Sequence, residues 1–214
     1  MEKYVNRIAA GQILAEKLTE YAQRDDVMVL ALPRGGVPVA FEIANRLQVT
    51  LDVFIVRKLG VPSHKELAMG AIAMGDVTVF NEEIISEYKI PIHDIQTVMM
   101  EEKKELKRRE VAYRGDRPFP NLKNKIVILV DDGIATGASM RAAIKALKVL
   151  LPAKIILAVP VAEKEMCNSM KLLVDDFICP LQPVFFNAVG VWYEDFTQTE
   201  DEEVYKLLKK ARLG

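Results

Sequence analysis

Short apolar segments and amphipathic segments alternate along most of the chain. Four apolar runs are rich in β-branched residues, are too short for helices, and lack the polar alternation of a half-exposed strand. This pattern is typical of strands buried on both faces of a parallel sheet. The four runs cover residues 27–32, 51–56, 126–130 and 155–161, and a weaker fifth run covers residues 176–179.

Helical periodicity fills the gaps between these runs. It predicts helices over residues 37–47, 139–151 and 163–173. Alternation of strands and helices predicts an α/β fold with a mostly parallel five-stranded sheet flanked by helices. In such sheets ligands bind beyond the carboxyl ends of the strands, so functional residues are expected there.

Three further segments lie outside this alternation. Residues 6–24 are predicted to form an N-terminal helix, and residues 71–80 a hairpin that turns at Gly75-Asp76. Residues 94–114 are predicted to form a long charged helix, in which Glu105 and Arg109 are intrahelical neighbours. The charges of this helix therefore indicate a solvated face rather than a nucleic-acid patch.

Composition narrows the class of protein. Hydrophobic residues make up 50% of the 214 residues, which excludes a disordered chain, and the formal net charge is -1, which provides no global field for a nucleic-acid partner. The two cysteines, Cys167 and Cys179, have no second pair and no nearby histidine to form a metal site. With no signal peptide or membrane-spanning run apparent, we expect a cytoplasmic protein without membrane contact.

The segment that carries most chemical information follows the third strong strand. Asp131 and Asp132 end the strand, and a loop of small residues leads into a helix. Loop amides at a helix N-terminus can bind a phosphate dianion, with hydroxyl groups as further donors. The two carboxylates repel a phosphate, so they need a hydrogen-bond donor such as a sugar diol, or a metal. The loop therefore predicts a phosphorylated sugar as ligand. A structural turn with a capping hydroxyl is the alternative.

The sequence VILVDDGIATGAS closely resembles the phosphoribosyl-pyrophosphate (PRPP) signature of type I phosphoribosyltransferases. That family transfers ribose 5-phosphate from PRPP to a nitrogen nucleophile, uses Mg²⁺ bound mainly through PRPP, and releases pyrophosphate. The resemblance implies a type I phosphoribosyltransferase fold, with Asp131 and Asp132 on the ribose hydroxyls and no dedicated protein metal site. The implied 5-phosphate cradle consists of Gly133, Ile134, Ala135, Thr136, Gly137, Ala138 and Ser139.

A second loop suited to an anion follows the first strand. Arg34 supplies forked donors, and Gly35 and Gly36 expose backbone amides, so this loop is the candidate pyrophosphate site. A tight turn with a surface arginine is the alternative reading. The resemblance also implies a non-proline cis peptide bond between Pro33 and Arg34.

The segment RKLGVPSHKELAMG, residues 57–70, is interpreted as a polar loop that begins at a strand end. It resembles the mobile catalytic loop of the family. Arg57 or Lys58 would then contact pyrophosphate oxygens while the loop excludes water, with His64 and Lys65 as candidate closing contacts.

The acceptor base is not determined by these motifs. Members that use 6-oxopurines carry an Asp before the Thr-Gly of the signature, whereas this chain has Ala135. The resemblance therefore argues against a 6-oxopurine as the acceptor. The family builds its acceptor pocket from a variable hood. Trp192, Tyr193 or Phe186 could stack on a planar base there, or could be core aromatics.

We therefore expect a single phosphoribosyltransferase domain over residues 1–214, with a core at about 25–180 and a hood from about 1–24 and 181–214. The predicted activity is transfer of phosphoribosyl from PRPP to a nitrogenous base by a homodimer. A PRPP-sensing regulator without turnover is the main alternative, and an enzyme acting on another phosphorylated sugar is a third. The segment at about 71–114 either shapes the dimer or covers the site.

Overall fold

The computed structural model describes residues 3–212. These residues form two β-sheets and seven α-helices. The strands are β1 (Val27–Ala31), β2 (Thr50–Val53), β3 (Val56–Val61), β4 (His64–Ala73), β5 (Val77–Phe80), β6 (Ile126–Val130), β7 (Lys154–Ala158) and β8 (Asp176–Ile178). The helices are α1 (Arg7–Glu16), α2 (Gly36–Leu47), α3 (Glu82–Glu87), α4 (Ile92–Arg114), α5 (Ala138–Val149), α6 (Lys164–Lys171) and α7 (Asp201–Lys210).

The main sheet has five strands in the order β2-β1-β6-β7-β8, and every neighbouring pair is parallel. Its central strands are buried because helices cover both faces, which explains their unbroken apolar sequences. The predicted α/β fold with a five-stranded parallel sheet is confirmed. The second strand is shorter than predicted, since β2 ends at Val53 and Val56 already starts β3.

A second, antiparallel sheet with the order β3-β4-β5 lies outside the sequence prediction. Its hairpin between β4 and β5 turns at Gly75 and Asp76, both at positive φ, as predicted. The interpretation of residues 57–70 as a loop is wrong, because they form β3 and most of β4. Leu59 and Met69 point into a separate apolar cluster, whereas the polar residues that indicated a loop lie at the turn and on the open face.

The long charged helix is confirmed as α4 and starts two residues earlier than predicted. Ile95, Met99 and Leu106 pack against the cluster of the second sheet. On the outer face, Glu105 accepts hydrogen bonds from Arg108 and Arg109 at 2.7 Å, which lowers the pKa of Glu105 to about 2. Glu105, Arg108 and Arg109 are thus paired within the helix, as predicted for Glu105 and Arg109.

The N-terminal helix is shorter than predicted. Helix α1 ends at Glu16 and a 3₁₀ turn follows at Thr19–Tyr21. A Cβ atom on Gly11 would lie 2.6 Å from the carbonyl oxygen of Val39, so glycine permits the close packing of α1 on α2. Tyr4 pairs with the chain near its C-terminal end, donating its amide to the Trp192 carbonyl at 2.9 Å. Segments near the two ends of the described chain are therefore joined directly.

Between residues 3 and 212, no helix is long and apolar enough to cross a bilayer. The same residues hold no group of three or more His, Cys, Asp or Glu side chains arranged to bind a metal ion. Cys167 and Cys179 are both buried free thiols.

Candidate functional site

Two loops meet at the carboxyl ends of the adjacent strands β1 and β6. A Cβ atom on Gly35 would overlap the Asp132 carboxylate, and one on Gly36 would lie 2.8 Å from the Val130 carbonyl oxygen. Only glycine at these two positions lets the loops approach this closely. The peptide bond between Pro33 and Arg34 is cis, which confirms the expectation from the sequence.

The cradle loop, residues 133–139, surrounds a cavity of about 190 Å³ at the N-terminus of α5. Asp131 also lines this cavity. Gly137, at φ 75°, precedes the helix. Within residues 3–212, the amides of Ala135, Thr136, Gly137 and Ser139 have no hydrogen-bond acceptor. These free donors and the positive end of the α5 dipole suit a phosphate.

Ile134 departs from its expected role in the cradle. Its amide donates to the Val161 carbonyl at 3.0 Å, and its side chain is buried. The amide is therefore already satisfied, and Ile134 contributes to the cavity wall instead of providing a phosphate donor.

The paired acids are partly buried and close together. The Asp132 amide donates to Asp131 Oδ1 at 2.8 Å, which fixes the Asp131 carboxylate. Burial raises the pKa of both carboxyls, and the neighbouring Asp132 charge raises the pKa of Asp131 further. Such carboxyls favour a ligand that supplies hydrogen bonds or positive charge.

Arg7, at the start of α1, contacts this pair and was not identified from the sequence. Its Nε and Nη2 each lie 2.8 Å from Asp132 Oδ2, and its Nη1 donates to the Thr197 carbonyl at 2.7 Å. The guanidinium also lies 3.9 Å from the centre of the Phe196 ring. Since 125 positions separate Arg7 from Asp132, no local pattern connects them.

Arg34 lies beside the loop of the acid pair, but its guanidinium is close to two other carboxylates. Its Nη1 lies 3.5 Å from Glu200 and 3.6 Å from Asp201, at the start of α7. The Tyr113 hydroxyl donates to the same Asp201 at 2.7 Å, and burial followed by this carboxylate raises the pKa of Tyr113 to about 12. An anion at the Arg34 loop would therefore compete with these carboxylates for the guanidinium.

Arg57 and Lys58 lie within β3, on its opposite faces. Arg57 Nε donates to Glu102 of α4 at 2.6 Å, directed away from the cradle cavity. Lys58 lines a separate cavity of about 340 Å³ against α5, together with Arg141 and Lys145. The structure therefore brings Lys58, but not Arg57, to the face of α5. His64 and Lys65 follow the hairpin turn and are exposed.

Trp192 lies in the core of the hood rather than over the cradle. Its side chain is buried, and its ring stacks on Phe186 with centroids 6.4 Å apart. This placement corresponds to the core-aromatic alternative. The hood residue that does line the cradle cavity is Val189, and a Cβ atom on Gly133 would lie 2.6 Å from its Cγ1.

Known proteins match this chain over nearly its whole length. The sequence model of the phosphoribosyl transferase domain matches residues 3–191. A Mycobacterium tuberculosis protein named "Putative phosphoribosyl transferase" is 40% identical over 211 residues, which are 99% of this chain and 47% of that protein. A second Mycobacterium tuberculosis protein of the same description matches equally well, and the chain spans about half the length of both relatives.

Solved structures agree with the fold. The crystal structure of TT1426 from Thermus thermophilus is 36% identical, covers 97% of this chain and 98% of that chain, and superposes with a TM-score of 0.85. The AQ2163 protein from Aquifex aeolicus shares the fold alone, at 10% identity and a TM-score of 0.51, over 86% of this chain and 78% of its own. The chain belongs to the phosphoribosyl transferase domain family.

Proposed function

We propose that this protein is a Mg²⁺-dependent phosphoribosyltransferase that moves 5-phosphoribosyl from PRPP to a nitrogenous base and releases pyrophosphate. The observation that carries the proposal is the contact between the two loops: the Gly35-Gly36 loop packs directly on Asp131 and Asp132, next to the cradle cavity. PRPP carries a phosphate, a diol and a pyrophosphate group, in the same order as the cradle cavity, the acid pair and the Gly35-Gly36 loop.

The chain's residues would act by charge and position. Asp131 and Asp132 accept hydrogen bonds from the ribose hydroxyls, and the free amides of the cradle loop hold the 5-phosphate. The Gly35 amide and Arg34 would meet the pyrophosphate, where negative charge grows as the bond to the anomeric carbon breaks. The Gly36 amide, predicted to be exposed, already donates to the Leu32 carbonyl at 3.1 Å and provides no free donor. Lys58 could add a second positive charge from β3, whereas Arg57 would first have to leave Glu102.

Magnesium fits this arrangement as an ion bound mainly by its substrate. Burial raises the pKa values of Asp131 and Asp132, so an Mg²⁺ ion held on the substrate beside them would favour their ionised forms. When bound, Mg²⁺ would neutralise the pyrophosphate charge. Residues 3–212 provide no cluster that would hold the ion without the substrate.

The experiment is a screen of nucleobases with PRPP and Mg²⁺ that measures pyrophosphate release. We expect release with at least one base and its loss, by about 100-fold or more, in the Asp131→Asn/Asp132→Asn variant. An Asp26→Asn variant, which alters an exposed acid at the opposite strand end, is the matched control and should keep full activity. Release that is unchanged in the double variant would contradict the assignment of the acids.

The PRPP-sensing alternative makes a distinct prediction for the same experiment. A sensor would bind PRPP, detected by calorimetry, and would release no pyrophosphate with any base. The single domain over residues 1–214, the acceptor base and the cytoplasmic location stay predictions, as does the homodimer, which light scattering would test. Failure to bind PRPP would reject transferase and sensor together and leave the enzyme acting on another phosphorylated sugar.

A further inference from the structure

We propose that Arg7 is a positioning residue that acts through Asp132, holding this carboxylate in the orientation that accepts the ribose hydroxyls of PRPP. The inference rests on the proposed function and deepens it. It concerns a residue of the hood helix α1, outside both loops of the candidate site. Arg7 itself would not contact the sugar.

The hydrogen bonds from Arg7 use only one oxygen of the carboxylate. Arg7 Nε and Nη2 both lie 2.8 Å from Asp132 Oδ2. No donor from residues 3–212 reaches Asp132 Oδ1, so this oxygen is available to a ligand. Gly35 also packs against this carboxylate: a Cβ atom there would overlap Oδ2 and lie 3.3 Å from Oδ1. The carboxylate is thus held between α1 and the loop after β1, with one oxygen left to accept a hydroxyl.

Arg7 is held in place independently of Asp132. Its Nη1 donates to the Thr197 carbonyl at 2.7 Å, and its guanidinium lies on the Phe196 ring. The side chains of Arg7 and Asp132 are only 11% and 14% exposed. Separating them would leave two partly buried charges unpaired, which is unfavourable. These contacts are those of a fixed support and not of a gate that moves aside when PRPP binds.

The charges around Asp132 explain why it needs this support. Asp131 is its chain neighbour, and Tyr193 from the C-terminal segment donates its hydroxyl to the Asp132 carbonyl at 2.6 Å. Neither supplies positive charge, and among residues 3–212 Arg7 is the cation that acts on the pair. Burial raises the pKa of Asp132, while the charge and hydrogen bonds of Arg7 lower it. Loss of Arg7 therefore favours the protonated acid, which is a poorer hydrogen-bond acceptor.

The test measures PRPP affinity by calorimetry, with Mg²⁺ present, across pH 5 to 8. For Arg7→Met we expect affinity about tenfold weaker at neutral pH, by analogy with other supporting residues. We also expect the decrease of PRPP affinity at acidic pH to begin at a higher pH in Arg7→Met than in the unmodified protein. Arg7→Lys keeps the charge without the fork and should restore the pH profile more fully than the affinity. The matched control is Arg24→Met, which removes an exposed Arg–Asp pair and should change neither.

A double-mutant cycle separates action through Asp132 from other roles. In an Asp132→Asn background, Arg7→Met should have little further effect on affinity. Additive losses would overturn the inference, as would tighter PRPP binding by Arg7→Met, which is the result for an arginine that blocks the site. If Arg7→Met fails to fold, as judged by circular dichroism, the pH profiles of Arg7→Lys and Arg7→Gln decide, since only the lysine retains the charge.

The outcomes for the inference and for the proposed function differ. If the unmodified protein binds PRPP and Arg7→Met keeps both its affinity and its pH profile, the inference fails and the proposed function stands. If the unmodified protein does not bind PRPP, both are rejected.

Discussion

At the scale of single residues, the site combines groups that favour folding with groups that oppose it. Asp131 and Asp132 are adjacent, partly buried carboxylates, and loss of solvent contact raises the pKa of both. Only Asp132 has an arginine partner, whereas Asp131 has the amide of its neighbour. Buried charge of this kind reduces stability and is kept where a ligand uses it.

This imbalance predicts that Asp131→Asn stabilises the protein at pH 8, by about 1 kcal/mol. The folded pKa of Asp131 is raised, so the folded state holds this proton more tightly than the unfolded state. Stability contributed by the carboxyl is therefore lost as pH rises through the folded pKa, and asparagine avoids the loss. Thermal melts at pH 8 and at about pH 3.5, below the unfolded value, measure the effect, and the advantage should vanish at the lower pH.

The control for this prediction is Asp26→Asn. Hydrogen bonds from Arg24 lower the pKa of this exposed carboxyl, so its substitution should give no gain at pH 8. A lower melting temperature for Asp131→Asn at pH 8, or a gain that grows as the pH falls, would contradict the assignment of a raised pKa.

At the scale of elements, α4 links the second sheet to the main one. Leu106 contacts the apolar clusters of both sheets. At the end of the helix, Arg114 donates to both oxygens of Asp52 on β2, at 2.9 and 3.0 Å, and to the carbonyls of Arg117 and Pro118. The Arg114 side chain is 1% exposed, so this pair is one of the few ion pairs that solvent does not screen.

We expect Arg114→Met to lower the free energy of unfolding by about 3–5 kcal/mol, because it leaves the Asp52 carboxylate buried without its partner. Urea denaturation measures the change. Replacing both residues, as Arg114→Met with Asp52→Leu, should recover part of the loss, since no buried charge is left unpaired.

Arg24→Met tests whether any arginine–aspartate pair would give the same result. Arg24 and Asp26 are exposed, so the urea midpoint should stay within experimental error of the unmodified protein. Equal effects of Arg114→Met and Arg24→Met would show that burial of the Arg114 pair does not contribute to stability.

At the scale of the whole molecule, segments near both ends of the chain contact the site. The Tyr4 hydroxyl donates to the Pro160 carbonyl at 2.8 Å, and the Glu194 amide donates to the Tyr4 carbonyl at 2.8 Å. Tyr193 reaches down to the backbone of Asp132. The hood, the acid pair and the sheet therefore share direct contacts and should lose structure together.

We accordingly predict one cooperative unfolding transition. The fluorescence of Trp192, the single tryptophan and a hood residue, should follow the same urea curve as far-ultraviolet circular dichroism, which reports mainly on the core. The calorimetric and van't Hoff enthalpies should also agree. A separate early transition in fluorescence would indicate that the hood unfolds independently, and the single-domain prediction would then be wrong.

The sequence by itself determined the parallel sheet and the positions of both loops. Strands that are buried on both faces need unbroken apolar runs, which are visible in the sequence. Asp131-Asp132, Gly137 and Gly35-Gly36 are short motifs of neighbouring residues, so the sequence shows them as well. Of the second sheet, only the hairpin at residues 71–80 was predicted; residues 57–70 were missed because their polar side chains face outward and mimic a loop. Tertiary structure alone decided which charges meet: Arg7 with Asp132, Arg34 with Glu200 and Asp201, and Arg57 with Glu102. These pairs join distant segments, and electrostatic interactions depend on distance in space, which chain position does not encode.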